Sequence, residues 1–299
     1  FIRINNTLRN DKEISALVHL LDDPDSVIFE QIKNKLMDIG TKCIPQLEKV
    51  SFEENLGEIF DKRAKFLIHE INFQKILSDH KNWLNHPIRL IDGITQIDEY
   101  FFPNVNKNFI DYELKEMTKD IDSYLNNNMS PIEKVKIINQ VIFDVYKISG
   151  DKENYHDPIN SSFWNLLKTK KGNPLTISVL YIEIARQLNI PIKGINLPNH
   201  FIVGYLKDYN ISIHQSMTKY KREDVIFYIN PFSKGVILKH SDIDDFIKEI
   251  NLKHNDYYFI PCNYIDVTKR MLTNMIYSYR KSENTQIKED LQSILKLYD

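Results

Sequence analysis

The chain has 299 residues, 42% of them hydrophobic and 27% charged, and a formal net charge of −2 at pH 7, which suits a globular protein of two domains or one domain with helical extensions. Basic and acidic residues are interspersed, so no basic stripe is available to follow a phosphate backbone, and we do not expect nucleic acid as a partner. No apolar run approaches the ~20 residues of a membrane span, so we expect no membrane partner either.

Residues 12–84 are predicted to be entirely helical. A first helix contains "ISALVHLLDD", and a second runs from a capping Asp25 to a terminating Gly40. A third segment contains "CIPQLEKV", and a longer helix extends from Glu53 to about Leu84. Paired helices with short connections resemble the hairpins of helical repeats, so this region is expected to act as a scaffold or a partner contact.

The helical pattern continues beyond residue 85. "HPIRLIDGITQIDEYFFP" (86–103) is amphipathic and closes at Pro103, and residues 104–128 continue helically. "SPIEKVKIINQVIFDVY" carries a capping box, with Ser130 as the cap, Pro131 at the first helical position and Glu133 three residues after the cap. This signal predicts a helix start and gives no information about catalysis or binding.

The character of the sequence changes after Gly150. A loop containing "NYHDPINSSFWNLLKTKKG" precedes a helix that starts at Asn173-Pro174 and reaches about Leu188. That helix is apolar nearly all round, which predicts a central buried helix. Strand patterns follow in "IKGINL", "HFIVGYL", "ISIHQS" and "VIFYINPF".

The remaining segments are helical again. "SDIDDFIKEI" is predicted to be a helix capped by Ser241, and the last stretch a helical hairpin that turns near Glu283-Asn284. The sequence thus predicts an α+β fold with a buried central helix packed on a small antiparallel sheet. Three regions are expected: 1–84, a core over 85–255, and a C-terminal hairpin over 256–299.

Three positions in the core follow a pattern typical of a catalytic site. The start of the buried helix at residue 174, His200 at the beginning of a strand pattern and Asn230 at the end of another have the layout of a papain-like or transglutaminase-like site. In such a site the helix start stabilises a thiolate, a histidine acts as base, and a third residue orients the imidazole.

The chain resembles the SirB-one family, whose core belongs to the transglutaminase-like superfamily. The resemblance covers roughly residues 86–299 and rests on "NYHDPINSSFWNLLKTKKGNPLTISVLYIEIARQLNIPIKGINLPNHFIVGY", "YINPF" and "RMLTNMIYSY". The chain departs from the family pattern at Asn173, where isoleucine is usual, at Asn199, where glycine is usual, and at Asn230, where aspartate is usual.

The resemblance implies a degenerate active site. Aligned with ordinary transglutaminase-like enzymes, Pro174 falls on the nucleophilic cysteine, twelve residues before Arg186. Proline has no nucleophilic atom and removes a backbone N–H from the helix start. We therefore expect a protein that is not an active transglutaminase or protease, that retains His200 and Asn230 as a vestigial base and its orienter, and that binds a peptide or protein in the remaining groove.

A relocated nucleophile is the alternative, and it would make the chain a hydrolase or acyltransferase. Ser178 lies one helical turn past Pro174, Thr176 points about 200° away round the axis, and Ser161 could approach from the preceding loop. Each serine also has a structural explanation: Ser178 bonding back to the preceding turn, and Ser161 or Ser162 capping the next helix. The enzyme hypothesis requires one of these hydroxyls within hydrogen-bond reach of His200.

The loop before the buried helix carries further candidate binding residues. The presence of these loop residues is explained equally well by a structural role, in an Asp-Pro turn with Asx hydrogen bonds, and by contact with a ligand. With the residues at the helix start, the candidates for ligand contact are Tyr155, Asp157, Asn160, Ser161, Pro174 and Thr176.

No cofactor or metal is expected. The nine histidines are dispersed, without His-x-x-x-His or Cys-x-x-Cys spacing, and no glycine-rich phosphate loop occurs. Cys43 and Cys262 are far apart, so we predict no disulfide framework and a reducing, cytoplasmic location. A third hypothesis is a purely structural adaptor built on the N-terminal helices.

Overall fold

The computed structural model of the protein has an α+β fold and forms two compact units, Phe1–Asp79 and His80–Asp299. The C-terminal helices predicted as a separate region belong to the second unit. The boundary between the units lies a few residues before the predicted one. The structure describes residues 2–53, 56–154, 157–207, 220–281 and 284–299.

The first unit is helical. Its elements are α1 (Ile2–His19), α2 (Ser26–Ile39), α3 (Ile44–Glu53) and the greater part of α4 (Glu58–Asn85). Leu21, Leu36, Leu47 and Leu67 are fully buried in its core. Asp25 caps α2 by accepting a hydrogen bond from the Val27 N–H at 2.8 Å, as the sequence predicts. The repeat-like character of these helices stays a prediction.

The second unit contains eight further helices in the part of the chain that is described. They are α5 (Leu90–Phe101), α6 (Lys107–Asp122), α7 (Pro131–Asn139), α8 (Phe163–Thr169), α9 (Pro174–Gln187), α10 (His240–Glu249), α11 (Tyr264–Ser278) and α12 (Thr285–Leu295). The predicted capping box of α7 is confirmed, because the Glu133 carboxylate accepts the Ser130 N–H at 2.8 Å.

Two small sheets complete the second unit. The strands β1 (Ser149–Gly150) and β2 (Lys171–Gly172) pair in parallel. The strands β3 (Ile192–Ile195), β4 (Ile202–Leu206), β5 (Val225–Asn230) and β6 (Val236–Leu238) form an antiparallel sheet in that order. The predicted strand "ISIHQS" lies outside the described residues.

Helix α9 is the centre of this unit, as predicted. Every residue from Pro174 to Ala185 is buried, and the helix packs on β3 and β4 as well as on α5, α6 and α8. The one buried charge on it, Glu183, pairs with the Arg186 Nε at 3.0 Å. Burial raises the pKa of Glu183, and the Arg186 charge opposes that rise.

One predicted helix cap is wrong. Helix α10 begins at His240, so Ser241 lies inside its first turn and Lys239 occupies the cap position. The Asp242 carboxylate reaches back to the Lys239 N–H at 2.7 Å. An acidic side chain at the third helical position therefore satisfies the helix start without a serine cap.

Gly150 in the short parallel sheet is closely approached by the Phe232 ring. A Cβ atom at Gly150 would lie within 2.7 Å of the Phe232 Cδ2 atom. The strand that contains Gly150, β1, pairs with β2, and β2 is followed directly by α9.

We expect the substitution Gly150→Ala to lower the free energy of unfolding by roughly 1–3 kcal/mol, the usual cost of overpacking. The backbone of Gly150 is not in the left-handed region, so the cost comes from the ring and not from φ. Denaturant unfolding measures it. In a Phe232→Ala background the same substitution should cost much less, and an equal cost in both backgrounds would contradict the steric explanation.

A buried carboxylate on α5 holds the start of α8. The Asp98 Oδ2 atom accepts the Trp164 N–H at 2.7 Å, and the residue is 0% exposed. Burial raises the pKa of Asp98 to about 7, although hydrogen bonds from Trp164, Ser162 and Phe163 work in the opposite direction.

This carboxyl predicts a specific pH dependence of stability. Between the ordinary pKa of 3.8 and the native pKa of about 7, the native state binds a proton that the unfolded state releases. The contribution to the free energy of unfolding therefore falls as pH rises through this window, by an amount on the order of a few kcal/mol. Urea unfolding between about pH 5 and about pH 8 should show a flatter profile for Asp98→Asn, whose amide oxygen still accepts the Trp164 N–H.

The matched control is Asp245→Asn, at a carboxylate whose side chain is 74% exposed. It should leave the pH profile as it is in the unmodified chain. A profile for Asp98→Asn that coincides with that of the unmodified chain would rule out this role of Asp98.

Candidate functional site

The start of α9 is closed by hydrogen bonds from the preceding loop. The Asn173 Oδ1 atom caps the helix by accepting the Thr176 N–H at 2.9 Å, and its Nδ2 atom donates to Ser161 Oγ at 2.9 Å. The Thr176 hydroxyl accepts the Asn173 N–H at 3.0 Å and donates to the Asn160 carbonyl at 3.1 Å. Pro174 is the first residue of the helix, where a missing N–H is tolerated.

His200 and Asn230 are brought together, as the sequence predicts. His200 lies two residues before β4 and Asn230 ends β5, and the antiparallel register pairs Val203 with Ile229. The Asn230 Nδ2 atom is 3.3 Å from the His200 Nε2 atom. The Asn230 Oδ1 atom accepts the Ser233 N–H at 3.3 Å.

The environment of His200 favours a neutral imidazole. Burial lowers its pKa, and the positive charge of Arg270 lowers it further. The Phe246 ring on α10 lies 6.3 Å from the imidazole, between centroids, and contributes to this burial. Both effects favour the uncharged form of the ring.

An open cavity of about 590 Å³ adjoins these residues. Its walls are the start of α9, the loop from Pro198 to Phe201, and one face of α11. The residues that α11 contributes are Arg270, Thr273, Asn274, Tyr277 and Ser278. Their spacing of three and four residues places them on one side of the helix, whereas Met271, Leu272 and Met275 are buried.

These α11 residues were not among the predicted site residues. The sequence contained a signal for them, because polar residues repeat at helical spacing in "RMLTNMIYSY" beside an apolar stripe. The segment entered the resemblance as a motif, but nothing local indicated which wall of the fold it would form.

The predicted binding residues divide into two groups. Asp157, Ser161 and Pro174 line the cavity. Asn160 and Thr176 are 2% and 1% exposed and lie outside its lining. The Asn160 amide donates to the Asn154 carbonyl at 2.7 Å, so its role in the fold is to hold the loop. Tyr155 lies outside the described residues.

The hydroxyls proposed as relocated nucleophiles have other partners. Ser178 is fully buried and donates to the carbonyl of Phe201, the residue just before β4, at 3.4 Å, and not to the preceding turn of α9. Ser162, not Ser161, caps α8 by accepting the Asn165 N–H at 3.1 Å. Over the described ranges, the one side-chain hydrogen bond of His200 is that with Asn230.

The two cysteines are buried thiols. The Cys262 Sγ atom lies 3.3 Å from the Gly194 carbonyl, and the Cys43 Sγ atom lies 3.1 Å from the Gly40 carbonyl. Burial raises the pKa of both, which disfavours the reactive thiolate.

Neither a metal cluster nor a spanning helix is found in the chain as far as it is described. Its His, Cys, Asp and Glu side chains form no group of three or more that could bind a metal ion. Among the described helices, none combines the length and the apolar content needed to cross a membrane.

A buried helix whose start faces a histidine and an asparagine at adjoining strand ends is the arrangement of a transglutaminase-like fold. A family model described as the transglutaminase-like superfamily matches residues 109–273, just over half of the chain. The chain belongs to this superfamily.

Its relatives include both bacterial and animal proteins. A UPF0162 protein of Xylella fastidiosa is 32% identical over 110 residues, covering 36% of this chain and 37% of that protein. A UPF0162 protein of Vibrio cholerae is 21% identical over 154 residues, covering 52% of each chain. Human F-box only protein 21 is 27% identical over 172 residues, covering 48% of this chain and 27% of that protein. The chain thus spans between 27% and 52% of the length of these relatives. No solved structure matches.

We expect the substitution Arg270→Gln to raise the pKa of His200, because it removes the positive charge that lowers it. Titration of the His200 ring signals by NMR measures this change. Lys269→Gln removes a neighbouring charge from a side chain that points towards Asp299, and it should leave the pKa of His200 where it is. An unchanged pKa in Arg270→Gln would contradict the assigned cause.

Proposed function

We propose that this domain binds a peptide segment of a partner protein in the cavity between α9, the His200 loop and α11, without acyl transfer. The observation that carries the proposal is Pro174, which begins α9 and lines an open cavity beside His200. The helix start is where a transglutaminase-like enzyme needs its thiolate.

The surrounding hydroxyls support a role without catalysis. Ser161 and Thr176 belong to the hydrogen bonds that close the start of α9, and Ser178 is bonded to the Phe201 carbonyl. For Thr176 or Ser178 to attack a substrate, the hydrogen bond that its hydroxyl donates would first have to break, which leaves a polar partner unsatisfied at a cost of about 1–3 kcal/mol.

The size and chemistry of the cavity support a peptide ligand. Its volume of about 590 Å³ falls within the usual range of ligand pockets, ~300–1,000 Å³. Asn199 and Asn274 offer amides that can both donate to and accept from a main chain. Tyr277, whose residue is 61% exposed, adds an aromatic surface at the rim.

We further propose that the chain is a member of the SirB-one family. The resemblance rests on three separate stretches of sequence, and residues from two of them line one cavity. These residues are Asp157, Pro174 and His200 of the first stretch, and Arg270 and Asn274 of the last. A shared role in ligand binding would explain why these stretches occur together in one family.

Peptides selected from a random displayed library against the whole chain test the proposed function. Tyr277→Ala and Asn274→Ala should each weaken the selected peptides by roughly 10-fold, the effect of losing a central contact. The matched control is Tyr112→Ala, at a tyrosine on α6 that is 59% exposed and lies outside the cavity lining. It should change affinity less than about 2-fold.

Two results would overturn the proposal. One is a set of selected peptides whose affinity is indifferent to both cavity variants. The other is covalent labelling of the folded chain by a broad serine-reactive probe that is lost in Ser178→Ala, since that result identifies a working nucleophile.

A further inference from the structure

The hydrogen bond between His200 and Asn230 has a fixed direction. A backbone N–H can only donate, so the Asn230 oxygen must be the atom that faces the Ser233 N–H. The Asn230 nitrogen, which has no free lone pair, therefore faces the His200 Nε2 atom and donates to it. In a neutral imidazole with Nε2 as acceptor, the proton is on Nδ1.

Protonation of both ring nitrogens is disfavoured by the same contact. A proton on Nε2 would point at the N–H groups of the Asn230 amide, placing two donors face to face. Burial and the charge of Arg270 also lower the pKa of His200. His200 is consequently held in one tautomer.

The Nδ1–H group belongs to a residue that lines the cavity. No acceptor within the described ranges is hydrogen-bonded to Nδ1. Arg270 lines the same cavity and donates through Nη1 to the Asn196 side chain at 3.1 Å. Two groups that only donate, one of them cationic, thus border the same space.

We propose that the ligand presents a carboxylate to this cavity, where it accepts hydrogen bonds from the His200 Nδ1–H and from the Arg270 guanidinium. Asn230 is the positioning residue that fixes His200 as a donor. This inference rests on the proposed function, because it names the chemical group that the bound ligand brings to the same site.

The charges of the lining favour a carboxylate over a phosphate. Arg270 supplies one positive charge, and the carboxylate of Asp157 at the exposed edge supplies one negative charge. The Asp157 carboxylate already accepts the Ile159 N–H at 3.0 Å. A single guanidinium matches a singly charged, acceptor-only group, whereas a phosphate carries up to two charges and usually meets several cations.

The tautomer is tested first, on the whole chain without ligand. NMR of histidine-labelled protein distinguishes protonated from unprotonated ring nitrogens, and the signals lost in His200→Gln assign the residue. We expect a protonated Nδ1 and an unprotonated Nε2. In the nearly isosteric Asn230→Asp, the carboxylate can only accept, so the proton should move to Nε2. A protonated Nε2 in the unmodified chain overturns the inference, whatever peptides the chain binds.

The ligand group is tested with small defined probes. Acetyl-dialanine offers a terminal carboxylate, acetyl-glutamate with an amidated main-chain carboxyl offers a side-chain carboxylate, and acetyl-dialanine amide is the neutral control. At least one carboxylate should bind ~10-fold more tightly than the amide, as judged from the His200 signals. Which carboxylate binds identifies its source. Arg270→Gln should abolish the difference, and equal binding of amide and carboxylates, or tighter binding of inorganic phosphate, overturns the inference.

The two proposals fail in different ways. If displayed peptides bind in the cavity but amide and carboxylate probes are equal, the carboxylate is wrong and the peptide-binding function stands. If carboxylate probes shift His200 while no displayed peptide depends on Tyr277 or Asn274, the peptide-binding function is wrong and the carboxylate site stands.

Discussion

The arrangement of the second unit depends on one closed set of hydrogen bonds at the start of α9. Asn173 caps the helix and holds Ser161, while Thr176 returns to the Asn173 N–H and reaches the Asn160 carbonyl. Such bonds each contribute about 1 kcal/mol when made but cost more when broken in a buried place. The helix start is therefore rigid, and the hydroxyl groups that make it rigid are engaged in hydrogen bonds.

A second, independent constraint places His200 at the same cavity as the start of α9. The register of β4 and β5 sets the imidazole beside Asn230, and the turn that follows β5 fixes which end of the amide faces it. Burial lowers the pKa of the ring, and the charge of Arg270, which approaches from α11, lowers it further. A rigid helix start, a ring with one inferred tautomer and the positive charge of Arg270 are the three features on which the proposal of an anion-binding site rests.

The sequence was informative wherever the physical cause was local. An apolar surface all round α9 predicts its burial, the capping boxes predict helix starts, and strand ends in an antiparallel sheet predict that His200 and Asn230 meet. It was uninformative where tertiary packing decides. Whether Ser161 or Ser162 caps α8 depends on the backbone angles of the loop. The hydrogen-bond partner of Ser178 lies outside α9. The polar face of α11 can be recognised as part of the site only once that helix packs beside the cavity.

The orientation of the Asn230 amide also has a consequence for how such a domain could evolve. A cysteine at position 174 would supply a thiol, but in the inferred tautomer the His200 Nδ1 atom already holds a proton, and Nε2, the nitrogen with a free lone pair, faces the Asn230 amide. Recovery of hydrolysis would require a second change at position 230, and neither step has a catalytic benefit without the other. Under the proposed function, positions 174 and 230 are therefore coupled, and a single substitution at either one does not assemble a thiolate with a base.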